Sequence, residues 1–241
     1  MLTIQALKVT FLGAGIAAIA AGFATPAAAK PAACAYATFQ NGDFGVINLT
    51  TGAFTRRGNS GTLVGLAVTP AGTLVSELQG SGQLYSVNPA NGALTYIGQT
   101  GLTTSLDIGS TLTTVYEVTG DGSVYSIDTG NGKALKLGNA GVAISNNNSI
   151  GFSAGAKSLF TVNDYEVNTI NLANGKFRAI RASPLRFGAL AYVNRTLYAG
   201  TDYGTLAIYK LSYQNGAVFV ANVRGETTGF YGLAPAPSSA C

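Results

Sequence analysis

The feature that most constrains the fold is a sequence repeat of about 40 residues. Five stretches each contain an alternating apolar and polar run, a turn that ends in glycine, and a second alternating run. The turn glycines are Gly52, Gly92, Gly132, Gly175 and Gly216. Successive glycines are separated by 40, 40, 43 and 41 residues. A fixed period of this length is typical of repeat architectures, in which each repeat supplies one structural unit.

Each repeat has room for four short strands. Alternation with a period of two residues favours β-strands, and in the clearest repeat it covers residues 63–69, 73–79, 83–88 and 93–99. Matching residues also end the strand before the turn: Asn48, Asn88, Asp128, Asn171 and Lys210. Four antiparallel strands per period form one propeller blade, so we predict an all-β, five-bladed β-propeller. A β-sandwich or an open solenoid is the alternative, although a solenoid would need capping repeats that the sequence does not show.

Both ends of the chain are predicted to share the last blade. Residues 34–48 align without a gap with 114–128, which begin at the second strand of their blade. Residues 230–235 match the innermost strands at 63–68 and 104–108. We therefore expect 230–235 and 34–58 to form one blade, which would hide two strand edges.

The two cysteines of the chain fit this closure. Thr114 aligns with Cys34, and Leu106 precedes Thr114 by eight residues. Leu233 precedes Cys241 by the same eight residues, so the C-terminal tail arrives where a connecting loop would have reached Cys34. We predict a disulfide between Cys34 and Cys241, which requires an oxidising compartment.

Residues 1–29 predict a secretory signal peptide. A single charge at Lys8 precedes an uncharged apolar run over 9–24, and Pro26 and three alanines follow. A retained anchor is the alternative, but the run is shorter than the roughly 20 residues of a spanning helix. A second alternative is that Cys34 is lipidated, although residues 31–33 lack the branched apolar residue that usually precedes a lipidated cysteine. We expect one exported domain over 30–241, in a bacterial periplasm or secreted into the medium.

The repeats resemble those of a family of secreted bacterial β-propeller-like domains of unknown function. Residues 82–98, GQLYSVNPANGALTYIG, match repeats of the type LYxxNPxxGxLTxIG. The match covers nearly all of 34–235 and is clearest over 63–145. After residue 150 the turn glycines remain, but the glycine that closes the outer strand is lost. The resemblance implies a propeller and no catalytic residue, because the repeated positions are turn and core positions.

Composition and charge exclude several functions. Only 10% of the residues are charged and 47% are hydrophobic, which argues against a disordered chain. The chain has no histidine, which excludes Ser-His and Cys-His catalytic arrangements and histidine-ligated metals. A net charge of +4 is too small to favour a nucleic-acid partner. Basic residues are concentrated on the predicted outermost strands. One interpretation is that they prevent the exposed sheet edges from pairing with other chains, and the other is that they attract an acidic polymer.

Polar side chains are predicted to gather on one face of the propeller. The turns between second and third strands share this face with the blade-to-blade connections. It would hold Asn41, Asp43, Asp121, Asp164, Tyr165, Asp202 and Tyr203. One interpretation is a site for a polar ligand or Ca²⁺, and the other is the ordinary need of tight turns for Asn and Asp. No turn has the Asp-x-Asp-x-Asp spacing of a calcium loop, so we expect no cofactor, with Ca²⁺ as the alternative.

The predicted function is non-catalytic binding of a protein or glycan through this face. Tyr165 and Tyr203 could stack on a sugar, and Asp107 is a further ligand-binding candidate on an innermost strand. One alternative is a carbohydrate-active hydrolase around Asp107, Glu77 and Glu117, since glycosidases need converging carboxylates. Glu77 and Glu117 occupy equivalent second-strand positions, which favours a structural hydrogen bond. Another alternative is a purely structural envelope protein. We expect a monomer without a membrane span after signal cleavage.

Overall fold

The computed structural model describes residues 31–141, 152–155, 158–163, 166–183, 185–212 and 214–241. The predicted signal peptide over 1–29 lies outside these residues. Within them the chain forms twenty short β-strands. Inner strands such as those over Val115–Thr119 and Phe187–Val193 are buried along nearly their whole length, whereas the outermost strands are mostly exposed.

The strands form five four-stranded antiparallel sheets, named here as blades 1 to 5. Blade 1 contains β4 (Ala67–Val68), β5 (Leu74–Glu77), β6 (Gln83–Val87) and β7 (Leu94–Gln99). Blade 2 contains β8 (Ser105–Ser110), β9 (Val115–Thr119), β10 (Ser123–Ile127) and β11 (Ala134–Asn139). Blade 3 contains β12 (Phe152–Gly155), β13 (Ser158–Asn163), β14 (Glu166–Ile170) and β15 (Phe177–Ala182). Blade 4 contains β16 (Phe187–Val193), β17 (Thr196–Thr201), β18 (Ala207–Ser212) and β19 (Gly216–Asn222). Blade 5 contains β20 (Phe230–Ala236), β1 (Cys34–Phe39), β2 (Asp43–Asn48) and β3 (Phe54–Asn59).

The five blades form a closed ring, as predicted. Each innermost strand contacts the innermost strand of the next blade, in the order β20, β4, β8, β12, β16 and back to β20. The predicted last blade is confirmed, because β20 pairs antiparallel with β1 from the other end of the chain. The predicted disulfide is also confirmed, and the Cα atoms of Cys34 and Cys241 are 6.0 Å apart.

Aromatic packing reinforces this closure. The Phe39 ring centroid lies 4.6 Å from that of Phe230 and 4.8 Å from that of Phe54, so strands from both ends of the chain share one core. Phe39 and Phe230 are fully buried. Burial of one such side chain contributes roughly 1.5–3 kcal/mol.

The turn between the third and fourth strands has the same construction in four blades. Gly52 has a φ of 70° and donates its amide to the Asn48 carbonyl at 2.8 Å, and Gly92, Gly132 and Gly175 repeat this bond. The alignment of Lys210 with Asn48 is wrong, because Lys210 lies inside β18 and pairs with Val218. Ser212 takes that place, four residues before Gly216, and its hydroxyl accepts the Asn215 amide at 2.9 Å.

The innermost strand of blade 1 is shorter than predicted. Regular pairing covers only Ala67–Val68, whereas the sequence predicted a strand over 63–69. Gly65 has a φ of 102°, which bends the chain away from the extended conformation. Because of this bend, Gly65 forms a parallel β-bridge with Ile108 of blade 2. Its carbonyl oxygen also accepts a hydrogen bond from the Ser76 hydroxyl at 2.5 Å.

Every outermost strand carries a bulge where it pairs with the third strand. The register shifts lie at Phe44/Gly45, Leu84/Tyr85, Val124/Tyr125, Val167/Asn168 and Ile208/Tyr209. The residues that follow the bulge are Gly58, Gly98, Gly138, Arg181 and Ala221. A β-bulge increases local twist and re-aims the strand, here towards the next blade.

The three glycines after the bulge bring neighbouring blades into backbone contact. A Cβ on Gly98 would lie 1.8 Å from the Asn131 carbonyl oxygen of blade 2. The corresponding distances are 1.9 Å from Gly58 to Asn91 and 1.7 Å from Gly138 to Asn174. No side chain fits at these positions, so glycine closes the outer seams between blades 5, 1, 2 and 3.

Candidate functional site

The second-to-third-strand turns and the blade-to-blade connections lie together, and we name this surface the turn face. Backbone hydrogen bonds join them: Ser60 donates to Gly42 at 3.0 Å, Thr100 to Gly82 at 2.8 Å and Ala140 to Gly122 at 2.7 Å. The turn face is therefore a bonded layer at one end of the ring.

Three turns on this face share one hydrogen-bonding arrangement. Each polar side chain accepts the amide two residues further on: Asn41 from Asp43 at 2.9 Å, Ser81 from Gln83 at 3.1 Å and Asp121 from Ser123 at 3.0 Å. A side-chain amide at the end of each outer strand also donates a hydrogen bond to a backbone carbonyl of the turn. The donor and acceptor residues are Asn59 and Asn41, Gln99 and Ser81, and Asn139 and Asp121. The recurrence of polar residues in these turns is thus explained by turn formation.

The carboxylate of Asp121 is engaged within its own turn. Thr119 donates its hydroxyl to Asp121 at 2.6 Å, and Ser123 donates both its amide and, at 2.8 Å, its hydroxyl. The Thr119 bond, followed by those of Ser123, lowers the pKa of Asp121 to about 2. Asp121 is exposed, but its oxygens are already used in stabilising the turn.

Asp43 lies beside a cation on the same face. Arg56 Nε is 2.7 Å from Asp43 Oδ1. Burial raises the pKa of Asp43, but the hydrogen bond and charge of Arg56 outweigh it and hold the pKa below its ordinary value. Asp43 is therefore an ionised, paired group at the edge of the turn face.

The turn of blade 4 departs from this arrangement. Thr201 accepts the Ala207 amide at 3.0 Å, and the turn spans residues 202–206, two residues more than the turns of blades 2 and 5. Asp202 pairs with Arg186 of the preceding connection at 3.2 Å. Tyr203 projects from the tip with 82% of its surface exposed, more than any other large hydrophobic side chain among the described residues. Turn formation does not explain an aromatic side chain in this position.

The connection from blade 4 to blade 5 lies against this turn. A Cβ on Gly229 would lie 2.1 Å from the Asp202 carbonyl oxygen, and the Gly229 carbonyl accepts the Gln40 amide at 3.0 Å. Asn41 Nδ2 is 3.4 Å from both carboxylate oxygens of Glu226.

We name the resulting surface the junction patch, which consists of Asn41, Asp43, Asp202, Tyr203 and Glu226. The sequence predicted four of these residues and missed Glu226, which lies on the connection between blades 4 and 5. Its place on a blade-to-blade connection is the signal that could have found it. Asp164 and Tyr165, also predicted for this face, lie outside the described residues.

The predicted carboxylates of the ring interior do come together, but inside the protein. Glu77 and Glu117 are fully buried and Asp107 is 2% exposed. Burial raises the pKa of Glu117 well above its ordinary value, and Glu77 and then Asp107 raise it further. The side chains of Glu117 and Glu77 are hydrogen-bonded to each other, and burial also raises the pKa of Glu77. Thr100 donates to Glu77 at 2.7 Å, and Ser105 donates to Glu117. The Glu77–Glu117 contact joins blades 1 and 2.

Asp107 has a structural bond of its own. Its Oδ1 accepts the Ile108 amide at 2.7 Å and lies against Gly65, where a Cβ would be 1.7 Å away. Among the described residues, no group of three or more His, Cys, Asp or Glu side chains is arranged to hold a metal ion. The same residues include no helix with the length and apolar character needed to span a membrane.

Comparisons with known proteins identify the fold and no family. No protein-family model matches the chain, and no curated protein matches it. A chain in the crystal structure of a nidogen/laminin complex is similar, with a TM-score of 0.56 and 11% identity over 86% of this chain and 98% of that one. Glutaminyl cyclase of Myxococcus xanthus is similar with a TM-score of 0.54 and 12% identity, over 75% of this chain and 84% of that one. These similarities support the propeller fold alone.

Proposed function

We propose that the protein is an exported, non-catalytic binding module that engages a protein or glycan through the junction patch. The observation that carries this proposal is Tyr203, which is 82% exposed at the tip of a turn that departs from the structural repeat. Exposed aromatic rings with polar neighbours are common recognition groups, because the ring stacks while the polar groups orient the ligand.

Export is supported by two features of the chain. Residues 1–29 have the layout of a signal peptide, and the Cys34–Cys241 disulfide fits an oxidising compartment. We place the protein in the bacterial periplasm or medium, within the secreted propeller-like family that its repeats resemble. The nidogen/laminin neighbour belongs to a binding complex, which agrees with this proposal by analogy of fold only.

The hydrolase alternative has less support. Glycosidase carboxylates must reach a substrate, and Glu77, Glu117 and Asp107 are buried and hydrogen-bonded to the protein itself.

The first test is a binding screen of residues 30–241 with the disulfide formed. The protein is applied to a broad glycan panel, with and without Ca²⁺, and cross-linked in parallel to exported proteins of its host. Saturable binding to one glycan class or one protein supports the proposal, and dependence on added Ca²⁺ would identify a cation in the complex. A folded protein that binds nothing in either arm contradicts the proposal and favours a structural role.

A further inference from the structure

The seam between blades 3 and 4 is built differently from its neighbours. Arg181 follows the bulge of β15, at the position that glycine occupies in β3, β7 and β11. Its guanidinium crosses to the next blade, where Nη1 donates to the Gln214 carbonyl at 3.1 Å. Arg181 also lies over Gly216, with Nε 2.8 Å from where a Cβ would stand. Arg181 therefore lies between blades 3 and 4, whereas the seams between blades 5, 1, 2 and 3 have direct backbone contact at this position.

A cavity of about 590 Å³ opens at this seam. This volume lies within the usual range for sites of small molecules. Apolar side chains from both blades line much of it: Phe160, Val167, Ile180, Tyr192, Leu197 and Leu211. The cavity is distinct from the junction patch, because none of the five patch residues lines it.

The polar lining of the cavity carries one sign of charge. Arg181, Arg195 and Lys210 line it, and no acidic side chain is among the described lining residues. Arg195 and Lys210 have no carboxylate within ion-pair distance in the described structure. The nearest acidic neighbour along the chain, Glu166, precedes the lining residue Val167 and is exposed on β14. The cavity therefore combines an apolar wall with an excess of positive charge.

Lys210 is a second departure from the repeat at this cavity. Its counterparts, one position beyond the bulge in the third strands, are Ser86, Ser126 and Thr169 in blades 1 to 3 and Val46 in blade 5. Lys210 is half-buried, and its Nζ lies 5.9 Å from the Tyr198 ring centroid. Two positions that are small or neutral in other blades therefore become cationic around the same cavity.

Arg195 occupies a position where glycine would be less strained. It is the second residue of the two-residue turn between β16 and β17, and the φ angles of Asn194 and Arg195 are 49° and 63°. Turns of this shape favour glycine at the second position. The turn thus holds an exposed guanidinium at the cavity despite the backbone cost.

We propose that this cavity binds a small amphipathic carboxylate, such as a free medium-chain fatty acid. The hydrocarbon tail would lie against the apolar wall, and the carboxylate would pair with Lys210 and Arg195. Charge-assisted bonds to a carboxylate are about twice as strong as neutral hydrogen bonds, and burial of each CH₂ group adds about 0.8 kcal/mol. The ligand therefore needs both the tail and the charge.

Calorimetric titration of the full disulfide-bonded domain with decanoate tests this proposal. Acetate supplies the charge without the tail, and decanol supplies the tail without the charge. We expect saturable binding of decanoate and at least about tenfold weaker binding of both partial ligands. Equal affinity for decanol, or no saturable binding of decanoate, would overturn the proposal. Binding to anionic phospholipid vesicles without binding to free decanoate would also overturn it.

Two variants assign the binding to this cavity. Lys210→Ser introduces the residue of blades 1 and 2, and we expect decanoate binding to weaken about tenfold, with rescue by Lys210→Arg. Arg195→Gly relieves the positive φ while removing a cation, so it should raise the melting temperature and still weaken binding. Lys136→Ser, an exposed lysine on β11, is the matched control and should bind like the unmodified chain. Unchanged affinity in both Lys210→Ser and Arg195→Gly would contradict the assignment.

Discussion

The Arg57 side chain is hydrogen-bonded to Ala240, which joins the outermost strand of blade 5 to the C-terminal tail. Arg57 Nη2 donates to the Ala240 carbonyl at 2.9 Å, one residue before the disulfide-bonded Cys241. Nη1 of the same side chain donates to the Pro89 carbonyl of blade 1 at 2.8 Å. The extra residue of the bulge is apolar in the other blades: Ile97, Leu137, Ile180 and Val220. An arginine stands in this place only in the blade that both chain ends build.

Removal of the disulfide should destabilise the domain strongly. Cys34 and Cys241 are 207 residues apart, so the cross-link closes a very long loop in the unfolded chain. The chain-entropy treatment gives a loss of about 5 kcal/mol in the free energy of unfolding for the Cys34→Ser/Cys241→Ser double variant. Urea denaturation measures this loss, and a reductant should lower the stability of the unmodified chain alone. An equal stability of both proteins would refute the stabilising role.

Arg57→Ile, which restores the apolar residue of the other blades, should cost about 1 kcal/mol of stability through the lost bonds. We expect a larger cost in the disulfide-free background, because Arg57 is then a main attachment of the tail. Arg178→Ile on β15 is the control, since that exposed arginine lies on the same kind of outer strand. An equal loss of stability from Arg57→Ile with and without the disulfide would contradict a role of Arg57 in closing the ring.

Substitution of a glycine at an outer seam should reduce the stability of the domain more than substitution of a glycine in an exposed turn. Gly98→Ala would place a Cβ 1.8 Å from the Asn131 carbonyl oxygen, so blades 1 and 2 must move apart. The cost should be about 2 kcal/mol or more, as for overpacked sites. Gly130→Ala is the matched control, because its nearest neighbour is the Asp128 carboxylate oxygen at 3.3 Å, at an exposed turn. Thermal unfolding of both variants measures the difference, and similar melting temperatures would contradict the backbone contact.

The buried carboxyl pair predicts an inverted pH dependence. Burial, then Glu77 and Asp107, raise the pKa of Glu117 well above the ordinary 4.5, so the folded protein binds this proton more tightly than the unfolded chain. The resulting stability is complete below that ordinary pKa and is lost as the pH rises through the folded one. Glu117→Gln keeps a donor to Glu77 without an ionisable group. Its stability relative to the unmodified chain should therefore increase as the pH rises above the ordinary pKa of 4.5.

Asp121→Asn provides the control of opposite sign. The pKa of Asp121 is lowered to about 2, so its stabilising effect is present above the ordinary 3.8 and is lost as the pH falls through the folded value. Asp121→Asn should therefore be destabilising at neutral pH and lose that effect in acid. Urea titrations across this range that gave parallel curves for both variants would contradict the assigned protonation states.

Much of the fold could be predicted because each repeat contains short, local sequence patterns that are typical of strands and turns. Turn glycines and strand alternation recur at a fixed period, so the blades, the shared last blade and the disulfide followed from alignment alone. The alignment failed at Lys210, because blade 4 uses Ser212 in place of Asn or Asp in its turn. The short strand β4 was missed because Gly65 bends for a contact with the next blade, which alternation within one strand cannot reveal.

The candidate site could be predicted only in part. Turn positions for Asp202 and Tyr203 followed from the repeat, but the exposure of Tyr203 depends on the length of its turn and on the loop that packs beside it. The cavity between blades 3 and 4 was not predicted, because it depends on the bulge that brings Arg181 to the seam. The sequence shows that the closing glycine is lost at this position, but it does not show the register shift that directs Arg181 towards blade 4.

The central claim is that Tyr203 contacts the partner. With the ligand recovered by the screen, the dissociation constants of Tyr203→Ala and Tyr96→Ala are compared with that of the unmodified chain. Tyr96 is the matched control, since it is 55% exposed on β7. We predict that Tyr203→Ala binds at least about tenfold more weakly with an unchanged melting temperature, while Tyr96→Ala binds normally. Normal binding by Tyr203→Ala would contradict the account.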